Sequence, residues 1–76
     1  MTYADELRAM AADELLAEAK RLVRAFRGAG GPAREEVGRL CTELYAVCSE
    51  RGMALVWHEA MDAVKAEERS RERAQR

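Results

Sequence analysis

A chain of 76 residues carrying 13 basic and 14 acidic side chains, formal net charge −1, is one domain near the lower size at which a single apolar core outweighs chain entropy. The even balance of charge excludes the lopsided basic composition of a general nucleic-acid binder. The longest apolar run, Met53-Ala54-Leu55-Val56-Trp57, is far too short to span a membrane.

Thr2 opens a first helix, with Asp5 three residues on as a short capping box and Asp5 and Glu6 suited to a positive helix start. At 100° per residue Leu7, Ala11, Leu15, Ala19, Leu22, Val23 and Phe26 share one sector, with Glu6, Asp13, Glu14, Lys20, Arg21 and Arg24 opposite. The segment Ala4-Asp5-Glu6-Leu7 recurs as Ala12-Asp13-Glu14-Leu15; so short a repeat builds no solenoid unit and reads as chance in a biased composition. Gly28-Ala29-Gly30-Gly31-Pro32 then cuts the chain, and Pro32, lacking an N–H, suits the first position of a second helix.

Val37, Leu40, Cys41, Leu44, Val47 and Cys48 form the stripe of that helix, and Gly38, outside it, weakens it by about 1 kcal/mol relative to Ala. Gly52 is placed as the left-handed residue that ends it, with Met53 packing back on Cys48. Met53, Val56, Trp57, Ala60, Met61 and Val64 make a third stripe, which gives way to Glu67, Glu68 and Arg71. The reading predicts an all-α three-helix bundle with helices over about 3–27, 32–51 and 54–68. A single domain over 1–66 is followed by a charged helix end or tail over 67–76.

Cys41 and Cys48, seven apart in a helical segment, are separated by about 10.5 Å of rise, beyond disulfide reach. With Asp5 and Glu6 where a secretory signal carries positive charge, a reduced, cytoplasmic setting is expected. Arg makes up 11 of the 13 basic residues and Ala supplies 15 residues, which reads as a GC-rich genome, a statement about codons; a bacterial or phage system is the separate expectation.

No pattern of catalytic chemistry emerges. His58 and Asp62 are one helical turn apart, but two ligands do not make a zinc site, and neither metal nor cofactor is expected. The glycine link lacks the Gly-Lys-Ser/Thr ending of a phosphate loop, and Ser49 and Ser70 are in the wrong contexts for an acyl-carrier attachment serine. Glu6-Leu7-Arg8 followed by Leu15-Leu16 is similar to the opening of chorismate-type helical mutases. Met10-Ala11-Ala12-Asp13 stands where that family has isoleucine-aspartate pairs, so the resemblance covers one helix and implies no site residue. A helix-turn-helix registered on Gly52 puts Arg51 and His58 at apolar positions.

After the stripes are assigned to the core, Met10, Leu16, Tyr45 and Leu55 are left over, with Arg39 and Glu43 as a polar rim. The expectation is a non-catalytic interaction module, a homodimer that docks onto a protein partner as a regulatory accessory or inhibitory factor, with no membrane association. The competing expectation is nucleic-acid contact through Arg69, Arg71, Arg73 and Arg76.

Overall fold

Thr2 starts the fold as its sequence implies: its Oγ1 accepts the Asp5 N–H at 3.2 Å and its own N–H donates to Asp5 Oδ2 at 3.2 Å. This box opens α1 (Tyr3–Ala9) in a computed structural model that describes residues 1–74. The all-α expectation is met, but the helix count is four, not three, among the described residues. The predicted first helix is broken at Met10 and Ala11, which are extended with ψ 144° and 164°, and α2 (Ala12–Gly28) starts afresh.

The break has a local cause. The Ala11 N–H donates to Glu14 Oε1 at 3.2 Å, and Asp13 and Glu14 occupy the first turn, where the helix dipole favours negative charge. The repeat read as chance therefore marks two helix starts. Each copy puts acids in a first turn and supplies a leucine, Leu7 or Leu15, with 0% exposure. Ala11, placed on the buried sector by an unbroken helical phase, is exposed.

The glycines act as expected. Gly31, at φ 61°, turns the chain into α3 (Gly31–Glu50) just ahead of Pro32. Gly52, at φ 68°, ends it, and the Met53 N–H reaches Cys48 O at 2.7 Å while the Gly52 N–H reaches Ser49 O at 3.1 Å, the two bonds of a Schellman cap. The first turn of α4 (Leu55–Ala74) is closed by backbone, with the Val56 N–H on Met53 O at 3.0 Å. This helix runs past the expected end at residue 68.

Helix α2 is the spine: α3 and α4 both dock on it, and α1 docks on α3. One core joins Leu7, Leu15, Leu22, Leu44, Val47 and Val64, with Ala19 and Ala60 fully buried among them. The radius of gyration is 13.2 Å, against about 11.4 Å for a rounded domain of this length, and the Cα extents of 45 × 27 × 15 Å describe a slab.

Gly38 faces a ring rather than a backbone. A Cβ there would meet Phe26 Cε2 at 3.5 Å, ordinary van der Waals contact. Gly38→Ala is expected to stabilise the fold by about 0.5–1 kcal/mol through helix propensity alone, read as a higher midpoint in thermal unfolding; a lower midpoint would mean that the ring cannot give way.

Candidate interaction surface

The six residues expected at an interface do not share one face. Leu55 is 74% exposed and Tyr45 43% exposed, whereas Leu16 and Met10 are half-buried and packed against the core. Arg39 and Glu43 are exposed and, with Glu36, Leu40 and Thr42, line a shallow depression along α3. Tyr45, two residues beyond Glu43, stands about 160° round the same helix. Arg39 and Glu43 therefore rim another face of α3, not Tyr45.

The basic residues that close α2 are engaged. Arg24 grips Glu67 with Nε and Nη2 at 2.9 and 2.7 Å, and Arg27 grips Glu68 with Nη2 at 2.6 Å, so two forked pairs tie α2 to the second half of α4. Arg21 pairs with Glu18, whose other oxygen accepts the Tyr3 hydroxyl at 2.8 Å. Placing Arg21 and Arg24 on the polar face of the first helix does not name the carboxylates they meet. The signal was present: Glu67 and Glu68 continue the inward stripe of Val64 at helical spacing.

At the far end of the chain Arg69, Arg71 and Arg73 are exposed on α4, and Arg76 lies outside the described residues. At the other end of the molecule Arg51 Nη1 donates to Met10 O at 2.8 Å and Leu7 O at 3.4 Å, satisfying carbonyls at the end of α1 from the α3–α4 turn. Arg8 adds a contact with Glu50 at 3.2 Å.

These pairs set a pH dependence. The guanidinium of Arg24 holds the Glu67 carboxyl below its ordinary value of 4.5, Arg27 does the same for Glu68, and Arg21 chiefly does so for Glu18. Groups with depressed folded values stabilise the fold fully above the unfolded value and lose that contribution as pH falls through the folded one. The thermal midpoint is expected to be level from neutral pH to about 5 and to fall below about 4.5. The double substitution Glu67→Gln, Glu68→Gln should flatten that fall; an unchanged acid limb would remove these pairs as its origin.

Burial pushes the Cys41 and Cys48 thiols up, and although Arg51 pulls Cys48 the other way, burial outweighs it. Both stay protonated and weakly nucleophilic at neutral pH. His58 and Asp62 are exposed and form no ion pair, and among the described residues no three His, Cys, Asp or Glu side chains group as metal ligands. No described helix is long and apolar enough to cross a membrane.

One concavity falls outside every sequence expectation. Val23 and Phe26 of α2 with Trp57 and Met61 of α4 wall a cavity of about 150 Å³ whose rim carries Arg27 and Arg34. The Arg34 guanidinium sits 4.6 Å from the Phe26 ring centroid. The stripes assigned these apolar residues to the core; Phe26, Trp57 and Met61 are only half-buried because they stand where α2 ends and the glycine link begins. Comparison with known proteins finds no matching family model, no matching curated protein and no matching solved structure.

Proposed function

We propose that this chain is a non-catalytic protein–protein interaction module that self-associates and acts by stoichiometric docking, as a regulatory accessory or inhibitory factor of a bacterial or phage cytoplasm. The observation that carries the reading is the 74% exposure of Leu55, a large aliphatic side chain on the outer face of α4. The accessible surface is 5248 Å² for 8.5 kDa, where a rounded monomer of that mass exposes about 4,650 Å². The surplus is of the order of the ~800 Å² that each partner contributes to a standard interface. Protonated, buried thiols and an unpaired exposed histidine fit a docking role better than an acid–base one.

Sedimentation velocity at micromolar concentration tests it. The expected result is a dimer for the native chain and a monomer for Leu55→Asp, each with unchanged helical content. A native monomer with the same sedimentation as Leu55→Asp would remove the self-association.

A second reading, nucleic-acid contact, is favoured by the exposure of Arg69, Arg71 and Arg73 on one helix end. The engagement of Arg24 and Arg27 by Glu67 and Glu68 leaves it without a wider basic face. It predicts salt-dependent retention on heparin that is lost when residues 69–76 are deleted.

A further inference from the structure

We propose that the cavity where α2, α3 and α4 meet is a binding site for a small one-ring aromatic carboxylate, with the ring among Phe26, Trp57 and Met61 and the carboxylate on Arg34. The site goes beyond the self-association proposed above and is independent of it, because Leu55 stands about 160° round α4 from Trp57, on the opposite face.

Size sets the scale of the ligand. A volume of about 150 Å³ is half the lower limit of ordinary small-molecule pockets, ~300 Å³, and matches an apolar cavity that admits benzene. It takes one ring. The lining favours an aromatic ring over an aliphatic one, since Phe26 and Trp57 offer faces and edges for aromatic packing and the Met61 thioether is a soft partner for a ring.

Charge sets the substituent. Of the two guanidiniums at the rim, Arg27 is committed to Glu68, while Arg34 pairs with no carboxylate among the described residues. Its own helix turn offers it none, because the residues three and four positions away are Gly30, Gly31, Val37 and Gly38. Stacking at 4.6 Å over the Phe26 ring uses one face of the guanidinium and leaves its in-plane N–H fork for a planar carboxylate. A guest in the cavity takes water from Arg34, and a carboxylate on that guest replaces the lost water with charge-assisted hydrogen bonds.

A polypeptide suits the cavity less well than a free molecule. An amphipathic helix docks through several anchors along an apolar groove. Past Arg27 this cavity gives way instead to a charged depression carrying Arg24, Glu68 and Arg71. One apolar seat beside fixed charge fits a single small ligand.

Titration with benzoate, benzamide and acetate tests the site, read by the emission of Trp57, the only tryptophan of the chain, and by the thermal midpoint. Benzoate should give a saturable emission change with a dissociation constant of about 1 mM or tighter and should raise the midpoint. Benzamide, of the same shape without the charge, should bind at least about tenfold more weakly, and acetate, with the charge but no ring, should change neither readout. Arg34→Gln, at an exposed position, should keep the native circular dichroism and lower benzoate affinity at least about tenfold, to that of benzamide. No saturable response to benzoate up to about 20 mM, equal affinity for benzoate and benzamide, an acetate response equal to that of benzoate, or benzoate binding indifferent to Arg34→Gln each overturns the site. N-acetylphenylalanine, with a ring and carboxylate on a peptide unit, should bind no tighter than benzoate; binding at least about tenfold tighter overturns the free molecule as occupant in favour of a polypeptide end.

Discussion

Leu44→Ala will lower the thermal midpoint by at least about 10 °C. Leu44 has 0% exposure and lies mid-stripe on α3, between Cys41 and Val47 in the single core. Truncating such a leucine removes transfer free energy and leaves a cavity, together about 2–5 kcal/mol. For a domain this small each kcal/mol moves the midpoint by about 4–8 °C. The whole fold is worth roughly 4–11 kcal/mol at the usual stability per residue, so the variant sits close to unfolding. Tyr45→Ala, one residue along and 43% exposed, should change stability by less than about 1 kcal/mol in the monomer. Equal losses at the two positions would mean that the inward face of α3 is misassigned.

Leu7→Ala will release α1 while leaving the other helices folded. Seven residues are too few for a helix that stands alone, since isolated helices need roughly 12–15. Helix α1 persists by docking on α3, and Leu7 is its one fully buried side chain. The remaining ties are the half-buried Tyr3 and Ala4 against the core, and three polar contacts, the Tyr3 hydroxyl on Glu18, Arg8 on Glu50 and Arg51 on the end carbonyls, all exposed or half-exposed. Losing about 2–5 kcal/mol at Leu7 removes the largest single contribution, since each of those polar ties is worth about 0.5–1.5 kcal/mol. Hydrogen exchange should then show residues 3–9 unprotected and α2 to α4 nearly native. Uniform loss of protection along the chain would mean that α1 folds as one unit with the rest.

The same helix shows what the amino-acid sequence makes legible. The stripes of α3 and α4 could be read directly, because Gly31 and Gly52 must adopt positive φ and so fix where each helix starts or stops. The break between α1 and α2 has no such marker. Met10 and Ala11 are strong helix formers, and the chain departs there because Glu14 offers the Ala11 N–H a partner and Leu7 has a separate place to bury. Tertiary docking overrode propensity, and only the repeated Ala-Asp-Glu-Leu segments, at 4–7 and 12–15, recorded it.

The interaction surface was legible in one residue. Leu55 lies opposite its stripe by counting alone, and it is the most exposed large aliphatic side chain after the terminal Met1. Met10 and Leu16 also fall outside the stripes, yet the fold half-buries them, because α1 and α2 are separate helices with separate inward faces. The cavity beside Trp57 was not legible. It depends on where the end of α2 meets the first turns of α3 and α4, a juxtaposition that helical periodicity within one element does not encode.

Leu55 carries the account, being 74% exposed on the outer face of α4, so the mass of the chain in solution tests it most directly. From about 10 nM to about 100 µM, spanning the dissociation constants of ordinary specific complexes, sedimentation of the native chain should pass from that of a monomer to that of a dimer. Leu55→Asp should sediment as a monomer throughout. A native chain that stays monomeric across the whole series, identical to Leu55→Asp, would contradict the account.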